Sequence, residues 1–258
     1  RSGLPKLDKI MILYKVYFIN LDKSVNRKNF MEDQFKKLNI PVTRIPAIYG
    51  KELDENYLKK EKSKHNVLAH FPSPNDGEIG ICLTHFKLWN FLSTQPEDFS
   101  IVLEDDALIH EDFFKDLNSL LDDVTIDDFL DISGKKGFYS LKKNELLNTF
   151  LIPPVLMIGQ IIGKHAAKKL SKNLSAYYAP IDVMKQDVYK HKVKLYSTNK
   201  QYVVSIDKKM GGSTIQQNNM IIWKKIIREI IRPFWQIVAL FTFKLHRSIR
   251  NYAFYKRN

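Results

Sequence analysis

The sequence predicts an α/β domain on a mostly parallel central sheet, and three observations predict it. The apolar run Met11 to Ile19 is broken only by Lys15, the pattern of a strand buried on both faces. A helical stretch and a second apolar run follow it directly, the order that opens a doubly wound sheet. Farther on, Ser100-Ile101-Val102-Leu103 runs straight into Glu104-Asp105-Asp106, so a buried strand ends in three carboxylates.

Taken in order, Asn20-Leu21-Asp22-Lys23 is the turn that follows the first strand. A helix is expected from about Ser24 to Leu38, with Asp22 or Ser24 available as its N-cap. Pro41 to Ile48 reads as the second strand and Gly50 ends it. Residues 51–76 are polar and close on a Pro- and Asn-rich turn. A helix from about Glu78 to Leu92 follows, with Ile81, His85, Leu88, Trp89 and Leu92 sharing one face. Phe129 to Ile132 and Val155 to Ile162 read as later strands, and Ala166 to Leu170 begins a helix. Asp122, Asp123, Asp127 and Asp128 read as a solvated loop face rather than a metal site.

One cysteine, Cys82, excludes an internal disulfide and suits a reducing compartment. The opening residues lack the charged start, apolar core and small-residue cleavage site of a secretory signal, so none is expected. Residues 1–10 are expected to lie outside the domain as a tail, with Arg1-Ser2-Gly3 reading as a cloning remnant. The domain itself is expected to span residues 11–219.

Residues 220–258 form a separate electrostatic unit. They carry nine Lys or Arg against Glu229 alone, a net +8 of the chain's +13. Trp223, Ile226, Ile227, Ile230 and Ile231 fall on one helical face and Lys224, Lys225 and Arg228 on the other, which predicts a basic amphipathic helix that Pro233 kinks or ends. The uncharged stretch from Pro233 to Phe243 is too short to span a bilayer core of about 30 Å. The tail is therefore expected to lie on an anionic membrane surface. The alternative is a helical hairpin packed on the domain or on a second subunit as a homo-oligomer. Nucleic-acid binding is not expected, because bulky apolar side chains interrupt any phosphate track.

Four blocks in order carry a resemblance: Ile19-Asn20-Leu21-Asp22 with Arg27; Gly77-Glu78-Ile79-Gly80 with Thr84-His85 and Trp89; Val102-Leu103-Glu104-Asp105-Asp106; and Pro180-Ile181-Asp182. Together they resemble glycosyltransferase family 25, whose bacterial members build lipopolysaccharide or lipooligosaccharide outer cores. The resemblance implies a GT-A-like fold and transfer of a hexose, most often galactose from UDP-galactose, with inversion. UDP-glucose or a UDP-N-acetylhexosamine is the alternative donor. It also implies a lipid-linked oligosaccharide acceptor and a cytoplasmic protein peripheral on the inner face of a bacterial membrane. The rival from another class is a non-catalytic, membrane-docking protein that binds nucleotide sugars.

Each block has a physical role beside that resemblance. Asn20 and Leu21 lie at a strand's carboxyl end, where open α/β sheets bind ligands, and Asn20 can both donate to and accept from a uracil or ribose. Arg27, on the following helix, offers a fork to a diphosphate, or is simply an exposed helix cation. Glu78 sits where a helix begins, which capping also explains. Gly77 and Gly80 would let backbone approach a sugar.

His85 takes a donor-pocket role by resemblance, and Trp89 reads as core. By the same resemblance Asp106 binds a divalent cation, Mn²⁺ or Mg²⁺. Glu104 or Asp105 then completes the shell or contacts ribose, and the division between those two stays open. The base that takes the acceptor's proton is expected to be Asp182, with Asp187 in reserve; a helix N-cap is the competing role for Asp182. Ser213, in Ser213-Thr214-Ile215, is expected to close over the diphosphate.

Overall fold

A computed structural model describes residues 12–63 and 74–212. Its element order begins β1 (Tyr14–Asn20), α1 (Val25–Leu38), β2 (Val42–Pro46), α2 (Glu55–Ser63), α3 (Asp76–Leu92), β3 (Phe99–Glu104), β4 (Ala107–Ile109) and α4 (Asp112–Asp122). It continues β5 (Asp128–Asp131), β6 (Phe138–Lys142), β7 (Leu147–Ile152), β8 (Gly159–Gly163), α5 (Lys164–Asn173), α6 (Ile181–Met184), α7 (Val188–His191), β9 (Lys194–Thr198) and β10 (Val203–Ser205). The sequence-predicted tail, residues 220–258, and Ser213 lie outside the described residues.

The central sheet has eight strands in the order β2-β1-β3-β8-β5-β9-β7-β6, and β10 pairs with β4 in a small second sheet. The expectation of a mostly parallel sheet is corrected here. Four of the seven neighbouring pairings are antiparallel, because β8 and β7 run against the other six strands and are inserted between them. Apolar content shows that a strand is buried but carries no record of its direction. The β2-β1-β3 segment is parallel as expected.

Alternation along β1 and β3 divides the core between the two faces of the sheet. Val16, Phe18, Ile101 and Leu103 pack with Met31 and Phe35 of α1 and with Phe113, Leu117, Leu120 and Leu121 of α4. On the opposite face Tyr17, Ile19 and Val102 meet Cys82, Leu88, Trp89 and Leu92 of α3 and Ala166, Ala167 and Leu170 of α5. Both faces are thus covered by helices, which leaves the sheet's ends as the places where polar side chains gather.

Helix α3 starts two residues earlier than the sequence suggests, because Asn75 and Glu78 form a reciprocal capping box (2.8 Å each way). Ile79 and Cys82, rather than the half-buried Ile81, lead its buried face. Gly80 has a packing role: a Cβ there would sit 2.6 Å from the Ile48 carbonyl oxygen and 2.7 Å from the Gly50 amide nitrogen. Helix α3 therefore rests directly on the backbone that follows β2. Thr84 Oγ1 extends the contact, accepting from Ile48 N and donating to Gly80 O, both at 2.8 Å. Asp128 is not part of a solvated loop face; it begins β5, is buried, and accepts from Thr125 N and Oγ1 at 2.9 Å.

Candidate active site

All six co-directed strands deliver their carboxyl ends to one edge of the sheet. Asn20 ends β1, Glu104 ends β3 and Asp131 ends β5. Backbone geometry alone collects polar side chains from distant parts of the sequence here, at the edge where open α/β sheets take ligands.

Asp105 is the hub between β1 and β3. Its Oδ2 accepts from Asn20 Nδ2 and its Oδ1 from Arg27, each at 2.8 Å. Asn20 is buried and its remaining groups are used locally: Nδ2 also donates to Ser24 O (3.1 Å) and Oδ1 accepts from Arg44 Nε (2.9 Å). Arg44 donates as well to Asn20 O and pairs with Asp22. The second guanidinium arm of Arg27 donates to Gly212 O at 2.9 Å. Leu21 contributes backbone, its carbonyl accepting from Ser24 N and shaping the turn into α1. Ser24 stands at the N-cap position of α1 without a side-chain capping bond.

The other two acids are placed differently. Asp106 is buried, and its Oδ2 accepts from Ser205 Oγ, which the β10-β4 ribbon brings opposite Ala107. Burial raises the Asp106 carboxyl, while the Ser205 hydrogen bond and the Arg27 charge oppose the shift. Glu104 is pushed up to about 8, first by burial and then by the carboxylates of Asp106, Asp105 and Asp182, with Lys185 acting the other way. Several acids thus share one poorly solvated spot, where Arg27 and Lys185 only partly offset the cost of burial.

Asp182 lies in the first turn of α6, close enough to Glu104 to act on its charge, and its Oδ1 accepts from Val183 N (2.9 Å). Pro180, not Asp182, is the N-cap residue of α6. Asp187 is the N-cap residue of α7, where it pairs with Lys190 (3.1 Å). Glu78 is the capping partner of Asn75 at the start of α3. His85 is wholly buried on that helix beside Trp89, and neither ring nitrogen has a hydrogen-bond partner among the described residues. Burial, reinforced by the Lys185 charge, lowers its pKa to about 4 and keeps it neutral.

Four polar residues at this edge carry no sequence signal sufficient to assign them. Arg44 interrupts an apolar strand, which is a hint. Asp131 sits within the apolar run Phe129 to Ile132, which is another. Ser205 and Lys185 have no local mark, because their partners are 99 and 54 residues away in the chain.

Among the described residues no group of three or more His, Cys, Asp and Glu side chains is arranged to hold a metal ion. Mg²⁺ is commonly held by only one or two carboxylates, with phosphates and water completing its shell, and Glu104 with Asp106 fits that smaller requirement. Their raised carboxyls mark a place where a cation would relieve repulsion.

A family model described as "Glycosyltransferase family 25 (LPS biosynthesis protein)" matches residues 13–156, more than half of the chain. The chain belongs to glycosyltransferase family 25. The matched span includes the Asn20 to Arg27, Glu78 to Trp89 and Glu104 to Asp106 blocks and stops short of Asp182.

Among curated relatives, a glycosyltransferase 25 family member of Aedes aegypti is 30% identical over 128 residues, covering 47% of this chain and 21% of the relative. Procollagen galactosyltransferase 1-B of Xenopus laevis is 29% identical over 127 residues, covering 47% and 20%. Procollagen galactosyltransferase 2 of Homo sapiens is 27% identical over 129 residues, covering 48% and 20%. The matches thus span about a fifth of the length of these relatives.

Proposed function

We propose that this protein is a GT-A-type hexosyltransferase that moves galactose from UDP-galactose, with inversion, to a lipid-linked oligosaccharide in lipooligosaccharide or lipopolysaccharide biosynthesis. The observation that carries the reading is the joining of the β1 and β3 ends through Asn20, Asp105 and Arg27, with the Glu104 and Asp106 carboxylates beside them and Asp182 close by. Membership of family 25 supports sugar transfer. The names of the galactosyltransferase relatives favour galactose.

In this reading the Asn20 to Arg27 turn binds the nucleotide, and Glu104 and Asp106 are the residues that would hold Mn²⁺ or Mg²⁺. A bound cation there would neutralise the negative charge that UDP develops on leaving. Asp182 accepts the proton of the acceptor hydroxyl as that oxygen bonds to the anomeric carbon and the bond to UDP breaks. His85 supports the pocket wall from within as a neutral side chain. Ser213 closes over the diphosphate. Residues 220–258 hold the enzyme on the anionic inner face of the cytoplasmic membrane; among the described residues no helix is long and apolar enough to cross one.

The test is a donor screen with the full chain, offering UDP-galactose, UDP-glucose and UDP-N-acetylhexosamines with a truncated lipooligosaccharide acceptor. UDP release and product linkage are read together. Acceptor-dependent release that is fastest with UDP-galactose and gives a β-linked product supports the reading. Preference for another donor overturns the galactose assignment, and UDP binding without turnover overturns the enzyme assignment.

A further inference from the structure

Lys185 and Asp131 form an ion pair that the catalytic reading above leaves unused. Their side chains are 1% and 3% exposed, with Lys185 Nζ 3.1 Å from Asp131 Oδ2. The ammonium also donates to Leu156 O (2.5 Å). The other oxygen of Asp131, Oδ1, accepts from Ser133 N (2.9 Å) and Ser133 Oγ (2.5 Å), which fixes the carboxylate from its own side. Removing two charges from water is expensive, and well-packed apolar residues commonly serve stability as well or better. A buried charge pair is therefore weak evidence of a stabilising role.

Its location suggests another role. Lys185 is the C-cap residue of α6, three residues after Asp182, and Asp131 ends β5 at the ligand-binding edge. Helix α6 has four residues, so its own hydrogen bonds cannot hold its direction and tertiary contacts must do so. Ile181 and Met184 bury their side chains in the core, an attachment that lacks directionality. Directional ties are concentrated on Lys185 and its neighbour: the ion pair to β5, the bond to Leu156, a hydrogen bond from His191 Nε2 to Lys185 O (2.9 Å), and one from Gln186 Nε2 to Pro153 O. Val193 N donates to His191 Nδ1 (3.1 Å), so the ring's Nε2 carries the proton and donates.

We propose that the Lys185–Asp131 pair is a positioning device for Asp182, pinning α6 to the end of β5 so that the Asp182 carboxylate is presented at the Glu104 end of β3. The inference rests on Asp182 being the base. Both side chains are buried, so they act through the placement of α6. Misplacing a catalytic group by about 1 Å can cost on the order of 100-fold in rate.

The experiment compares Lys185→Met, Asp131→Asn, Lys185→Arg, the double variant Lys185→Met with Asp131→Leu, and Asp182→Asn, all in the full chain. It measures transfer kcat, acceptor KM, UDP affinity and the urea midpoint. Lys185→Met is expected to lower kcat by about 100-fold while UDP affinity stays within about twofold, and Lys185→Arg recovers most of the rate. The apolar double variant is expected to be more stable to urea than Lys185→Met, which leaves Asp131 buried without its cation, and to leave kcat depressed. Should it regain the wild-type kcat, the pair serves packing alone and the proposal is overturned. Should it fail to fold, Asp131→Asn decides the matter by lowering kcat at unchanged UDP affinity or by leaving kcat intact. An active Asp182→Asn sinks the base assignment itself. An inactive Asp182→Asn beside a fully active double variant sinks only the positioning role.

Discussion

Replacing Gly80 with alanine sets two effects of known sign against each other. Alanine at an α3 interior position gains about 1 kcal/mol of helix propensity over glycine. Against this, the new Cβ would meet three backbone atoms, Ile48 O at 2.6 Å, Gly50 N at 2.7 Å and Gly50 Cα at 3.0 Å, where ordinary contact begins at 3.4 Å. No side chain can rotate away, so α3 and the segment after β2 must separate by up to about 0.8 Å. Overpacking of this kind costs roughly 1–3 kcal/mol, and the absence of a flexible partner places it at the upper end. The net expectation is a loss of about 1–2 kcal/mol, a drop in the urea midpoint of roughly half a molar. Urea unfolding followed by fluorescence measures it. UDP affinity should stay within about twofold, because the glycine serves packing and not sugar approach. A midpoint equal to the wild type or higher would refute the close approach of the two backbones, and a large loss of UDP affinity at full stability would refute the packing role.

Two further predictions concern protonation and the base. His85 and His191 are both buried and lowered from 6.5 to about 4, so the unfolded chain binds more protons between those values and stability falls as pH drops through that window, by about 3 kcal/mol for each ring. Glu104, raised from 4.5 to about 8, acts oppositely: the folded state holds its proton and loses stability as pH rises toward 8. Without ligands, melting temperature should peak near pH 6.5; a flat profile between pH 4 and 6.5 would remove the neutral-histidine account. Asp182→Asn should keep UDP binding within about twofold and lower transfer by at least about 100-fold, whereas Asp187→Asn should remain active. The reverse pattern, read by acceptor-dependent UDP release, would move the base to Asp187.

Local patterns carried the first half of this fold and said little about the second. The β1-α1-β2 unit was legible because an apolar run, a helical stretch and a second run leave one economical reading. The α3 face and the strand before the acids were legible for similar reasons. Strand β6 was not, since Phe138, Tyr139 and Leu141 are exposed and present no buried face to recognise. The direction of β8 depends on which neighbours it joins, a non-local fact. At the site, the sequence offered the acids and the Asn20 to Arg27 turn. It could not show that Asp105 is engaged by Asn20 and Arg27 on both oxygens, which distinguishes it from Glu104 and Asp106. Nor could it reveal Lys185, whose function depends on a partner 54 residues away.

In the proposed mechanism Glu104 and Asp106, beside the Asn20–Asp105–Arg27 junction, make a cation-assisted diphosphate site. Calorimetric titration of the full chain with UDP, in Mn²⁺ and in chelator, tests it most directly when repeated on Asp106→Ala. The account predicts binding tighter by about 10- to 100-fold with Mn²⁺ in the wild type, and no such difference in the variant. Equal UDP affinity in all samples would contradict it.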